Sequence, residues 1–124
     1  MRRNEITPKL IELSKRAKEL GFPQDIGQGD WVIDLNGQKL WIVDWEGPPF
    51  DSILILSFSR CLEWLRERDW HVTFFNYRKE IGGAMVEVAY IKKAEKVKQV
   101  RIDAKTHHEA IAKAVIKILE EKND

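Results

Sequence analysis

The fold is decided by residues 31–45, WVIDLNGQKLWIVDW. Apolar residues dominate on both sides of Asn36-Gly37, and this dipeptide supplies the positive φ angles that a type I′ turn needs. We therefore predict a β-hairpin with a two-residue loop. A loop of that length fixes the register, which pairs Trp31 with Ile42, Val32 with Trp41, Ile33 with Leu40, Asp34 with Lys39 and Leu35 with Gln38.

This register gives the hairpin two largely apolar faces. A helix predicted over residues 8–20 can cover one of them. The other face needs a second cover, which is either the rest of the chain or a partner protein. Trp is frequent among the residues that dominate interface energies. The covered face carries Trp31, Ile33, Leu35, Leu40 and Ile42, and the candidate partner surface consists of Trp41, Val43 and Trp45, beside Val32, Asp34 and Lys39.

The remaining elements follow from capping residues and hydrophobic periodicity. Thr7, Pro8 and Gly21 mark the two ends of the first helix. Thr106 and Glu109 form a capping box that starts a last helix ending at about residue 121. Between these helices the pattern predicts a helix over 57–69 and strands over 70–77, 84–91 and 97–102. Residues 51–56 form either a short strand or a buried helical turn.

The predicted fold class is α+β. An antiparallel sheet, made of the hairpin and a three-stranded meander, packs with three helices, and the C-terminal part has the order α-β-β-β-α. Glu46-Gly47-Pro48-Pro49 interrupts the pattern, because consecutive prolines end strand pairing. At 124 residues the chain suits one domain, residues 1–124. We divide it into a helix plus Trp-rich hairpin, 1–49, and a helix-meander-helix sandwich, 50–124, and whether they share one sheet is open.

Composition argues against several classes of function. The 21 Lys and Arg residues nearly balance the 20 Asp and Glu residues, so no overall field steers the chain toward nucleic acid or an anionic membrane. The longest aliphatic run, residues 53–56, is far shorter than the roughly 20 residues that cross a bilayer. A single cysteine cannot form an internal disulfide, and the N-terminus has no signal-peptide pattern. We expect a cytoplasmic protein without membrane contact.

Two motifs in the second half carry a resemblance. Residues 64–70, Trp-Leu-Arg-Glu-Arg-Asp-Trp, connect the end of a predicted helix to the start of a strand. Residues 104–111, Ala-Lys-Thr-His-His-Glu-Ala-Ile, begin the last helix. In this layout residues 50–121 resemble the small α-β-α sandwich domains of uncharacterised phage and prophage proteins. The resemblance implies a mobile-element origin, and no catalytic residue can be carried over from it.

The same element order is also that of a double-stranded-RNA-binding domain. Such domains resemble one another in a Lys-Lys-x-Ala-Lys cluster that grips phosphates at the start of the second helix. The matching positions here carry Thr106, His107, His108 and Glu109. The phosphate grip is therefore missing.

Few residues have a pattern typical of chemistry. His107 and His108 are adjacent on a helix and point about 100° apart, and no His-Glu-x-x-His or Cys-x-x-Cys pattern supplies further metal ligands. We interpret both as packing or capping residues, with a ligand or catalytic role as the alternative.

Cys61 has apolar helical spacing with Leu65, which favours a core thiol over a nucleophile. Four carboxylates around the hairpin suit local turn hydrogen bonds better than a metal or acid-base site: Asp34, Asp44, Glu46 and Asp51.

Five cations within ten residues form a basic stripe and are candidate nucleic-acid contacts: Lys92, Lys93, Lys96, Lys98 and Arg101. The alternative is a solvated hairpin loop with protective edge lysines.

Because phosphate-loop, nucleophile-elbow, zinc and calcium signatures are missing from the sequence, we expect no enzyme, no metal and no cofactor. The leading hypothesis is a non-catalytic accessory or protein-interaction protein of phage or prophage type, which binds a protein partner or itself. The alternative is a nucleic-acid-binding module that uses the basic stripe.

Overall fold

The computed structural model describes residues 1–36, 38–49, 51–78, 80 and 82–122. Those residues form three α-helices and two antiparallel sheets of three strands each, so the predicted α+β class is confirmed. None of the described helices is long and apolar enough to cross a membrane. The elements are α1 (Pro8–Glu19), β1 (Trp31–Asp34), β2 (Lys39–Ile42), β3 (Ser52–Leu54), α2 (Phe58–Arg66), β4 (Trp70–Arg78), β5 (Gly83–Lys92), β6 (Glu95–Ala104) and α3 (His107–Lys122).

Helix α1 begins and ends where its capping residues predict. The Thr7 side chain accepts a hydrogen bond from the Leu10 N–H at 3.1 Å. At the other end Gly21 has a φ of +96°, and the Phe22 N–H donates to the Ala17 carbonyl at 2.9 Å. A left-handed glycine with this bond is the usual way to satisfy the last helical carbonyls. Both predicted boundaries are therefore correct to within one residue.

The first sheet has the strand order β2-β1-β3. The predicted hairpin register is confirmed, because Trp31 pairs with Ile42 and Asp34 pairs with Lys39. The type I′ turn predicted on Asn36-Gly37 includes Gly37, which lies outside the described residues. The evidence for the register is therefore the set of residue pairs between β1 and β2.

Residues 52–54 form a strand and not a helical turn, the two possibilities that the sequence left open for residues 51–56. Strand β3 pairs antiparallel with β1, with Ile33 opposite Ile53. This sheet therefore combines strands from both sides of Pro48-Pro49, while the meander β4-β5-β6 forms a second sheet. The division into residues 1–49 and 50–124 stays a prediction, and one hydrophobic cluster contains residues from both parts.

The second sheet carries its helices on one face. Val86, Val88 and Val100 point to this face and are buried, and α3 packs against β5 and β6. Helix α2 packs against β4 and α3, and α1 packs against α3 and β3. α3 thus packs against both other helices and the second sheet. Its N-terminus lies near the N-terminal residues of the chain.

Ser14 is a fully buried polar residue that ties α1 to the end of β3. Its hydroxyl donates to the Leu10 carbonyl at 2.8 Å and accepts from the Leu56 N–H at 3.0 Å. Ser14→Ala leaves that N–H buried without a partner, and we expect the free energy of unfolding to fall by about 1–2 kcal/mol. Urea denaturation measures this loss. Ser59→Ala, at an exposed position of α2, is the control, and an equal effect of both variants contradicts the prediction.

Candidate functional site

Strand β2 forms an edge of the first sheet. Its hydrogen-bonded neighbour within the described chain is β1 alone. The Val43 N–H donates to the Asp30 carbonyl and the Val43 carbonyl accepts from the Gly29 N–H, both at 2.8 Å, on the β1 side. Because backbone groups alternate in direction along a strand, Leu40 and Ile42 direct their N–H and C=O groups away from β1. The open side of β2 can therefore pair with one more strand.

Two tryptophans and an isoleucine stand exposed on this strand and just after it. Trp41 is 46% exposed, Ile42 is 57% exposed and Trp45 is 82% exposed, whereas Val43 is 5% exposed. The predicted partner surface is thus divided, with Trp41 and Trp45 open to solvent and Val43 buried. Ile42, which we expected under α1, is exposed because α1 packs against β3, at the opposite edge of this sheet from β2. We call Trp41, Ile42 and Trp45 the β2 surface.

The basic stripe does not form one continuous surface. Lys98 lies 3.6 Å from Glu121 of α3, on the helix-covered face of the second sheet. Lys96 lies 3.7 Å from Glu87, which pairs with Arg101 on the opposite face. Lys92 is the last residue of β5 and Lys93 lies in the turn that follows, and both are exposed. The five cations are therefore spread over two faces and a turn, and two of them have acidic partners.

A cluster of titratable residues lies where the N-terminal turn meets the start of α3. Glu5 Oε2 lies 3.3 Å from His108 Nε2 and 4.0 Å from His107 Nε2. The two imidazole centroids are 3.9 Å apart with the rings tilted by 38°. Sequence reasoning separated the two histidines by their angle on the helix and missed Glu5. No local pattern connects residues that are about 100 positions apart.

The hydrogen bonds of His108 fix its tautomer. Its Nδ1 accepts from the Phe58 N–H at 2.9 Å, so in the neutral ring the proton is on Nε2, which faces Glu5. Burial lowers the pKa of both His108 and His107 and so favours their neutral forms. A hydrogen bond from the Arg2 N–H lowers the pKa of Glu5. The pair His108–Glu5 therefore joins the N-terminal turn to the first N–H of α2.

Glu5, His107 and His108 have donor atoms within 4.8 Å of one another, as a metal site requires. Zinc binds the lone pair of an imidazole nitrogen, and the second ring nitrogen usually donates to a carboxylate or carbonyl. Both His108 nitrogens are already engaged, and His107 Nδ1 is buried without a hydrogen-bond partner among the described residues. This arrangement suits a structural connection better than metal binding.

The other candidate residues are either buried in the core or hydrogen-bonded to nearby backbone groups. Cys61 is fully buried in the core, as predicted, and burial raises the pKa of its thiol, so the nucleophilic thiolate is disfavoured. Asp34 Oδ1 accepts from the Asn36 N–H at 3.0 Å. Asp44 Oδ1 accepts from the Glu46 N–H at 2.9 Å. These two carboxylates make the local turn hydrogen bonds that we expected.

Comparison with known proteins adds no relative to this picture. No protein family matches the chain, and no curated protein or solved structure is significantly similar to it. The resemblance to phage and prophage sandwich domains consequently stays a prediction. The β2 surface, the histidine cluster and the basic stripe are the features of the molecule that bear on its function.

Proposed function

We propose that this chain is a non-catalytic protein-interaction protein whose partner adds a strand to the open side of β2. The observation that carries the proposal is a sheet edge that has no further strand partner among the described residues and carries two exposed tryptophans on or just after its strand. Strand addition supplies main-chain hydrogen bonds, and side chains beside the edge supply selectivity. Natural edge strands are normally protected by charges, prolines or bulges. β2 has one charge, Lys39, and its centre is apolar.

A second copy of the chain is the partner that we propose for this edge. Two β2 strands can pair antiparallel about a twofold axis at Ile42, because the polar backbone groups of Ile42 face the open side. In that register Ile42 meets its own counterpart, and Trp41 lies opposite Val43 of the second copy. The interface is symmetric, as in most homodimers.

An accessory role in a phage or prophage remains part of this proposal. Its support is the α-β-β-β-α pattern of the second half, which resembles the sandwich domains of such proteins. Those domains bring no catalytic residue with them, which agrees with an interaction role. Capsid, tail or replication genes beside the coding sequence would support this origin.

Size-exclusion chromatography with light scattering tests the proposed interaction. We expect a dimer whose population rises with concentration in the micromolar range. Ile42→Lys places a charge at the centre of the predicted pairing, and Trp41→Ser/Trp45→Ser removes the exposed rings. Each change should shift the protein to monomer and weaken self-association by tenfold or more, since central interface tryptophans contribute about 2 kcal/mol or more.

Phe74→Ser is the matched control, because Phe74 is also an exposed aromatic residue but lies on β4. It should leave the dimer unchanged. Circular dichroism and thermal unfolding then separate assembly from folding. A wild-type monomer at all concentrations contradicts pairing with a second copy. Variants at Trp41 and Trp45 that unfold as monomers contradict the interaction role, since these residues would then serve the chain's own core.

The nucleic-acid-binding alternative stays a prediction. Its cations are spread over two faces, and Lys96 and Lys98 have acidic neighbours. Binding through phosphates should weaken with salt and with replacement of Lys92, Lys93 and Lys96 by Glu. The geometry favours the β2 surface over this alternative.

A further inference from the structure

A cleft of about 410 Å³ opens at one end of the sandwich between α3 and the second sheet. It lies where β4 and β6 begin, β5 ends and α3 has its last turn. Its apolar wall includes Trp70, Tyr90 and Ile118. The Trp70 and Tyr90 rings pack with centroids 5.7 Å apart and planes tilted by 53°. The volume lies within the range of small-molecule sites, about 300–1,000 Å³.

The rim of this cleft is positively charged. Arg68, Lys98 and Lys122 contribute three cations, and Glu121 contributes one carboxylate. Glu121 is engaged with Lys98 at 3.6 Å. Lys122 has no ion-pair partner within the described part of the chain, and the rim residues described there carry three cations against one carboxylate. This cleft combines an apolar wall with cations at its mouth.

The Arg68 side chain is held in position at the rim. Its guanidinium carbon lies 4.2 Å above the Trp64 ring centroid, and Nη1 donates to the Trp64 carbonyl at 3.0 Å. Glu67, its acidic neighbour at 3.6 Å, is an exposed residue that does not line the cleft. Contact with an aromatic face and a carbonyl leaves other guanidinium N–H groups for an incoming anion.

We propose that this cleft binds a small organic acid with an aromatic or branched aliphatic body. The body packs against Trp70, Tyr90 and Ile118, and the carboxylate meets Arg68 and Lys122. An apolar wall disfavours a highly charged polyphosphate, and the cationic rim disfavours an amine. The cleft and the β2 surface share no residue. A failed test of strand pairing at β2 therefore leaves the binding proposal for the cleft unaffected, and the reverse holds as well.

Nuclear magnetic resonance titration of ¹⁵N-labelled protein with 1-naphthaleneacetate tests the site. We expect saturable shifts at Tyr90, Lys98 and Ile118. The uncharged 1-naphthaleneacetamide has nearly the same apolar body and should bind about tenfold more weakly, because it lacks the charge-assisted contacts. Added salt should weaken binding of the acid and leave binding of the amide nearly unchanged.

Variants at the rim connect the binding to named residues. Arg68→Gln and Lys122→Gln should each weaken binding of the acid several-fold without changing binding of the amide. Lys117→Gln, at an exposed position of α3 outside the cleft, is the control and should leave both affinities unchanged. Equal affinity for acid and amide overturns the proposal. Absence of saturable shifts around the cleft up to the solubility limit of the acid overturns it as well.

Discussion

Replacing Glu109 with alanine should lower the free energy of unfolding by about 3 kcal/mol, the largest single loss that we expect from a polar residue here. Glu109 is 3% exposed, and its Oε2 accepts hydrogen bonds from the hydroxyls of Thr7 and Thr106, each at 3.1 Å. These threonines cap α1 and α3. A carboxylate between two helix N-termini is stabilised by both helix dipoles. Alanine removes these interactions and leaves a buried space.

Two further variants separate charge from volume at this position. Glu109→Gln keeps the size and one carbonyl oxygen, so we expect roughly half of the alanine effect. Glu120→Ala removes an exposed carboxylate from the same helix, 3.7 Å from Arg16, and should change stability by less than about 1 kcal/mol. Urea denaturation at neutral pH measures all three. A Glu109→Ala loss no larger than that of Glu120→Ala contradicts the role of Glu109 in joining the two helices.

The elements predicted correctly are those with local signals. Asn36-Gly37 flanked by apolar strands indicated the hairpin register, and Thr7, Gly21 and Thr106 indicated helix ends. The position of β3 needed more than local information. Four consecutive buried residues suit a strand or a helical turn equally, and the choice of β1 as partner is made by the tertiary fold.

The candidate sites were less predictable because they combine distant residues. Glu5 and His108 are 103 positions apart, and Thr7 and Glu109 are 102 positions apart. The cleft collects side chains from residues 68 to 122, and each of them alone has an ordinary interpretation. Trp41 and Trp45 were recognised from the hairpin pattern. The burial of Val43 between these two exposed tryptophans did not follow from that pattern, because the chain leaves the strand after Ile42 and Trp45 lies in a turn.

Replacing His108 with leucine should lower the free energy of unfolding at pH 8 by about 2 kcal/mol and reduce its dependence on pH. Leucine keeps most of the volume, but the part-buried Phe58 N–H loses its acceptor and Glu5 loses its contact with His108. In the wild type the pKa of His108 is lowered by burial and by the neighbouring His107. The positive end of the α3 dipole acts in the same direction on these N-terminal histidines.

The sign of the pH effect follows from these pKa shifts. An unfolded histidine has a pKa of about 6.5, and the folded value is lower, so the unfolded chain binds more protons in the interval between them. Wild-type stability should therefore be complete above about pH 6.5 and fall as the pH drops below it. Glu5, the carboxylate facing both imidazoles, has a lowered pKa and contributes its own loss at more acidic pH. Measurements between pH 8 and pH 5 keep the two effects apart.

Urea denaturation across this interval, for the wild type and His108→Leu, measures the slope. We expect a shallower slope in the variant, with the remainder due to His107, whose pKa is also lowered by burial. His71→Leu is the matched control, because it removes an imidazole from an exposed position of β4. This variant gives the reference for the loss of an imidazole that lies outside the cluster of Glu5, His107 and His108. If the slopes of His108→Leu and the wild type are parallel, the connection between Glu5, His108 and α2 is not a source of acid sensitivity.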